Sequence, residues 1–372
     1  MIAVDKISIS QTFLILLLSI GLVNHVTIIP LLLQFSNKDS WIAVLLALPF
    51  CILWAWLLAL LMKKTNSLHF LSWLEQRTGK YVSYPLAIIF ITIFFVNGFT
   101  TLKEVIEWTK LTYLVNTPKI VTTLTLIIII FYLLNKGIRT IAIVSGILLP
   151  FVILFGFFVT MANLQFKDYG LLQPFFTTSY SDISKTLLYI LSTTFETFSI
   201  LLIQHRLTKR MKTQHFSLLN FFLIGLTLGP LMASIALFGL HSIDMRYPAY
   251  EQWLLVRIGD YISNVDFLSI YQWLSGAFIR TTFSVYLIIE LTQYLFQTKK
   301  KLVILKGTVL ISFLLMIVTP VLSFINIIDF YKVYFKVLFY IYVAVMIISF
   351  FIILTVSKKE GRMIENKISK QG

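Results

Sequence analysis

Cysteine and acid are scarce in this chain. Its 372 residues include one cysteine, Cys51, and 16 acidic residues. A single cysteine within an apolar run excludes an internal disulfide framework and a cysteine-based metal cluster. No polar stretch is long enough to fold as a separate charged domain, so a nucleic-acid partner is not expected. No nucleophile–histidine–carboxylate set, phosphate loop or zinc motif occurs, so neither an enzyme nor a bound cofactor is expected. His25 has no histidine or carboxylate at metal-site spacing, and His69, His205, His215 and His241 fall in or beside loops, so no metal site is expected either.

What is abundant is apolar. Hydrophobic residues make up 58% of the chain, with 33 phenylalanines. Runs of about 20 apolar residues recur, each long enough to cross about 30 Å of hydrocarbon as helix. The reading is an all-α polytopic membrane protein forming one membrane domain over 1–372. Ten transmembrane helices are expected at about 9–34, 41–62, 81–102, 120–135, 138–162, 185–205, 217–240, 267–294, 303–325 and 333–356. The opening MIAVDKISISQ has no small-residue cleavage site, so the first span is expected to remain.

Charge sets the orientation. Placing alternate loops on two sides gathers 20 of the 31 basic residues on one side, including Lys63, Lys64, Arg206, Lys209, Arg210, Lys212 and Lys299–Lys301. Both termini are therefore expected in the cytoplasm. The formal net charge of +15 is accounted for by topology and by attraction to anionic lipid heads.

Ten spans divide into five and five, and an odd number per half forces the halves into opposite orientations. The repeats are expected at about 9–162 and 185–356. Span 1 carries GLVNH at 21–25, and span 6 carries STTFET at 192–197. Small and polar residues at corresponding places in two inverted halves point to a midplane site. Unwound backbone there exposes N–H and C=O groups that a zwitterionic amino acid could satisfy. The candidate ligand-binding residues are Gly21, Asn24, His25, Thr193, Thr194, Glu196 and Thr197. For Gly21, close helix packing and unwinding stand equally open. The threonines can also bond back to their own helix and leave it continuous.

Two charges lie deep in spans. Glu196 sits near the middle of span 6, and Arg280 lies about 20 Å along span 8 at 1.5 Å per residue. Charges at that depth face the bundle interior or a wet cavity. Glu196 and Arg280 form either a buried structural ion pair or a functional one, with Glu196 receiving a ligand ammonium. Asn97 and Gly98 in span 3, and Thr282 in span 8, are further polar marks.

The longest polar stretch, HSIDMRYPAYEQWLLVRIGDYISNVDFLSIYQW, covers 241–273. Pro248 can open a helix. Residues 248–262 are expected to form an interfacial helix with Trp253, Leu254, Val256, Ile258, Tyr261 and Ile262 on its apolar face, ended by a Gly259–Asp260 break.

Within that stretch, YPAYEQ and RIGD carry a resemblance to the B subunits of bacterial spore germinant receptors. These form the spore-permease family of the amino acid, polyamine and organocation superfamily, and the similarity runs from ISISQTFLILL to the short basic tail. The resemblance implies a LeuT-like transporter fold with a 5+5 inverted repeat. It implies a nutrient-sensing subunit, commonly for amino acids, that works with a larger A subunit and a C-subunit lipoprotein in the spore inner membrane. It places the ligand pocket at 21–25 and 193–197, with Asn97, Gly98, Phe278 and Thr282 contributing from spans 3 and 8. An active amino-acid permease with alternating access, and a scaffold or water and ion pathway, are the competing readings.

Overall fold

The computed structural model describes residues 6–257, 264–296, 302–319 and 326–368, with side chains described as far as 355. The described residues are helical throughout, apart from turns and one isolated bridge between Ile7 and Leu207. Eight helical stretches among them are long and apolar enough to cross a membrane. The first, Ile9–Lys64, contains a sharp reversal, and a shorter apolar helix, Leu302–Val318, follows the others. A count of ten spans is reached by dividing the first stretch at its reversal and adding the shorter helix. The expected end of the ninth span at 320–325 and the lysines at 299–301 lie outside the described residues.

The chain enters its first helix, α1 (Ile9–Leu22), through a capping box read directly from SISQ. Ser8 Oγ accepts from Gln11 N–H at 3.2 Å, and Ser8 N–H donates to Gln11 Oε1 at 2.9 Å. A π-helical turn, Val23–Thr27, leads on to α2 (Ile29–Ser36). Pro30 supplies the local reason: it has no N–H for the carbonyl at position 26, so a regular α-ladder cannot pass through unbroken. The reversal follows at Asn37, with φ of 45°, and the helix α3 (Ser40–Lys64) runs back. Asp39 fixes this turn, because its carboxylate accepts the N–H groups of Phe176, Thr177 and Thr178 at 3.1, 2.6 and 2.8 Å.

After α4 (Phe70–Thr78) come α5 (Lys80–Thr112), α6 (Lys119–Lys136) and α7 (Ile138–Ala162). Gly137 joins α6 to α7 in a single residue with φ of 86°, a left-handed conformation that favours glycine. The sixth crossing is α8 (Tyr180–Thr194), a 3-10 turn at Phe195–Phe198, and α9 (Ser199–Ile203). Then follow α10 (Thr213–Phe238), α11 (Pro248–Leu254), α12 (Leu268–Phe296), α13 (Leu302–Val318) and α14 (Ile327–Ile368).

Burial sorts the helices by depth. In the most apolar window of Tyr180–Arg206, 89% of residues are buried, against 22% in that of Ile138–Ala162, so the sixth crossing is central and α7 peripheral. Large apolar side chains at Ile128, Ile147, Phe157, Phe221 and Ile347 remain exposed, a belt that suits lipid contact. The bundle interior is filled by α12 along α5, α10 along α3, and α1 against α12.

Candidate functional site

The sixth crossing changes pitch rather than unwinding. Four hydroxyls there bond back to carbonyls three or four residues earlier. Ser192 Oγ donates to Tyr189 O at 2.6 Å, Thr193 and Thr194 Oγ1 both donate to Ile190 O at 2.9 Å, and Thr197 Oγ1 donates to Thr194 O at 2.8 Å. Such bonds compete with the helical N–H groups and bend the chain. The tightened turn Phe195–Phe198 is the result, with Glu196 on it.

Glu196 meets Arg280 of α12 in a two-pronged ion pair. Arg280 Nη1 donates to Oε1 and Nη2 to Oε2, each at 2.9 Å, with the two side chains 2% and 5% exposed. Parallel N–H···O bonds of this kind are the geometrically specific mode of arginine–carboxylate contact. Arg280 Nε also donates to Thr101 Oγ1 of α5 at 3.2 Å, and Nη1 to the carbonyl of Ser19 in α1 at 3.2 Å. One guanidinium therefore ties spans 1, 3, 6 and 8 together. The Ser19 carbonyl is free for it because Val23 N–H, at the start of the π-turn, bonds to Ile20 O instead.

Polar groups around the pair are only partly satisfied. Tyr334 OH donates to Asn97 Oδ1 at 2.8 Å, while Asn97 Nδ2 and Tyr342 OH are buried with no hydrogen-bond partner in the structure. Trp54 Nε1 donates to Thr197 Oγ1 at 3.2 Å, and its ring stacks on Phe195 at 3.9 Å. Buried unpartnered polar groups are few in native proteins and call for a bound water, ion or ligand.

The remaining candidates from the sequence fall into different roles. Gly21 lies in regular α1, and a Cβ there would meet Leu226 Cδ1 at 2.9 Å, so its position is one of close packing against α10. Gly98 packs likewise, since a Cβ would meet Phe313 at 3.1 Å and Ser284 Cβ at 3.3 Å. Asn24 is in the π-turn and donates to Leu223 O at 3.2 Å, leaving its Oδ1 without a partner. His25 is half-buried with Nδ1 unpartnered. Thr282 turns its hydroxyl onto Phe278 O at 2.7 Å, and Phe278 is half-buried. Glu196 and Arg280 are thus brought together with Ser19 and Thr101, and Asn97 with Tyr334, three partners that the sequence reading missed. The tyrosines did leave a signal: positions 331, 334 and 342 share one face of an apolar helix.

The loop before α12 is shorter in helix than the expected 248–262, and partly buried. The helix α11 ends at Leu254, and Pro248, Ala249, Gln252 and Trp253 are buried. Gln252 Nε2 donates to Pro230 O at 3.1 Å and Ser234 Oγ at 2.9 Å, Asn163 Nδ2 donates to Gln252 O at 2.7 Å, and Trp253 Nε1 donates to Gln272 Oε1 at 3.1 Å. Those bonds draw α11 into the bundle. Ile258, Tyr261, Ile262 and the Gly259–Asp260 break lie outside the described residues. Arg246, just before α11, pairs with Glu104 of α5, whose Oε2 accepts from Tyr331 OH at 2.8 Å. Burial and then the Glu104 charge push the Tyr247 phenol up to about 12.

The start of the chain is strapped to the segment that follows α9. Ile7 N–H donates to Arg206 O and Thr208 N–H to Ile7 O, both at 2.9 Å. Arg206 Nη2 meets Glu290 Oε1 at 2.7 Å, and His205 Nε2 lies 3.4 Å from Oε2. Two cavities lie away from the Glu196–Arg280 pair: an apolar groove of about 390 Å³ by Cys51 and Asn220, and a polar one of about 200 Å³ by His69 and Glu290. Among the described residues, no group of three or more His, Cys, Asp or Glu could hold a metal ion.

Comparison with known proteins adds to this geometry. The model of the spore germination protein family matches residues 6–326. Spore germination protein XB of Bacillus anthracis is 38% identical over 312 residues, which cover 84% of this chain and 87% of that protein. Among solved structures, mutants of the Eremococcus coleocola manganese transporter superpose with a TM-score of 0.48 at 12% identity, covering 92% of this chain and 78% of theirs.

Proposed function

This chain belongs to the spore germination protein family, and from that premise we propose that it is the nutrient-sensing membrane subunit of a spore germinant receptor, with an amino acid as its ligand. Its partners in this reading are the receptor's A subunit and C-subunit lipoprotein, in the inner membrane of the spore, with both termini cytoplasmic. The two halves, about 9–162 and 185–356, act as inverted repeats, and ligand binds where the first and sixth crossings depart from α-helix.

The observation that carries the reading is the single point at which Arg280 holds Ser19, Thr101 and Glu196. A ligand acting there touches four spans at once. It shifts their arrangement to the extent that it binds one arrangement better than another, and the new arrangement is what the partner subunits detect.

Deletion of the gene for this chain tests the reading. Spores lacking it are expected to lose germination in response to the triggering amino acid and to regain it when the chain is restored. An unchanged dose response in the deleted strain overturns the proposal, and vectorial uptake by the chain alone in vesicles would favour a permease.

A further inference from the structure

We propose that the Glu196–Arg280 pair selects zwitterionic α-amino acids by partner exchange, the ligand carboxylate replacing Glu196 on Arg280 and the ligand ammonium replacing Arg280 on Glu196. The inference rests on the amino-acid-sensing reading above and assigns the atoms that perform it.

The argument is one of charge balance. The pair is buried and fully charge-compensated. Removing one partner from such a pair is strongly unfavourable, because the other charge stays behind uncompensated. A carboxylic acid alone would take Arg280 and abandon Glu196; an amine alone would take Glu196 and abandon Arg280. Only a molecule bearing both charges parts the pair and leaves neither unmatched. An α-carboxylate also presents to Nη1 and Nη2 the same two oxygens that Glu196 now presents.

The surroundings decide which half moves. Arg280 is held from behind by Thr101 Oγ1 and Ser19 O, bonds that do not involve Glu196. Glu196 rides on a 3-10 turn, whose hydrogen bonds have poorer geometry than those of an α-helix. Opening the pair therefore displaces the turn between α8 and α9 while the guanidinium stays in place. Space for the ligand arises from that displacement, so occupancy and movement are one event.

Unfilled hydrogen-bonding groups complete the site. An ammonium carries three N–H donors and a carboxylate about four acceptor directions, more than one glutamate and one arginine can absorb. Asn97 Nδ2 offers a donor, and the Tyr342 hydroxyl offers both roles; both are buried and unpartnered. Tyr342 packs beside Phe198 of the turn that carries Glu196, with ring centroids 6.1 Å apart.

The test is calorimetric titration of the purified full-length chain in lipid nanodiscs. The probes are the common amino acids and, for each one that binds, its deaminated acid and its decarboxylated amine. At least one amino acid is expected to bind, with its acid and amine weaker by about 100-fold or more. Glu196→Gln is expected to tighten the acid by about 10-fold while weakening the amino acid, and Arg280→Gln to do the same for the amine. The double variant Glu196→Gln/Arg280→Gln leaves no charge unpaired; it is expected to fold and to lose the preference for zwitterions. Equal binding of acid, amine and amino acid by wild type, unchanged selectivity in the double variant, or no binding by any probe overturns the proposal. Selective binding by a chain whose deletion leaves germination intact overturns the receptor reading alone.

Discussion

The carbonyl of Ser19 accepts from Arg280 Nη1 at 3.2 Å because Val23 N–H has turned to Ile20 O. A defect in the first crossing is thereby filled by a side chain of the eighth. The same guanidinium answers the Glu196 carboxylate on the 3-10 turn of the sixth crossing. Local departures from α-helix and the buried charge are one construction, and disturbing any part of it is felt by the others.

The pair should show strong coupling. Arg280→Met leaves Glu196 buried and unpaired, a loss of about 3–5 kcal/mol. In a Glu196→Gln background the same change should cost far less. A double-mutant cycle on unfolding midpoints in detergent measures the difference, and additive effects would show that the two charges do not support each other.

Close packing at Gly98 should resist even one methyl group. Gly98→Ala sets a Cβ 3.1 Å from the Phe313 ring and 3.3 Å from Ser284 Cβ. Overpacking of this kind costs about 1–3 kcal/mol. Phe313→Leu added to Gly98→Ala should recover part of the loss in thermal unfolding. Gly21→Ala should cost less, because it meets only the far end of the flexible Leu226 side chain.

Acid should weaken the packing around His69. Burial, then the neighbouring His205 and Arg206, hold its imidazole down at about 4, although Glu290 pulls the other way. The folded protein therefore resists protonation while the unfolded chain takes a proton near pH 6.5. Stability from this group is complete above about pH 6.5 and is lost as pH falls towards about 4. His69 Nδ1 also caps α4 by accepting from Ser72 N–H at 3.4 Å. His69→Asn keeps a capping side chain and should flatten this part of the pH profile of thermal stability.

Breaking the strap between Ile7 and Arg206 should loosen that end of the bundle without touching the Glu196–Arg280 pair. Arg206→Ala removes the 2.7 Å contact to Glu290 and leaves that buried carboxylate with His205 and Tyr286. Amide hydrogen exchange at Ile7 and Thr208, whose N–H groups make the bridge, should accelerate by about 10-fold or more. Equal protection in the variant would show that the backbone bridge holds by itself.

Much of the architecture was legible in the sequence. Apolar runs gave the membrane class, and the depth of Glu196 and Arg280 in their spans gave two buried charges. Other features were hidden for identifiable reasons. Pro30, more than Gly21, is the residue that unsettles the first crossing, since a missing N–H acts on the turn before it. The segment at 248–262 read as one interfacial helix from its composition, but the helix ends at Leu254, and Gln252 and Trp253 bond to α10 and α12. A side chain's partner across the bundle leaves no trace in its own segment.

By itself, the sequence determined that this chain spans a membrane and that Glu196 and Arg280 lie deep in two of its helices. Those follow from a local rule: hydrocarbon excludes unpaired backbone. Tertiary structure alone decided that Glu196 faces Arg280 with both oxygens, that Ser19 gives up its carbonyl to the same guanidinium, and that Tyr334 reaches Asn97. Those contacts join residues up to 261 positions apart, and their geometry depends on how whole helices pack.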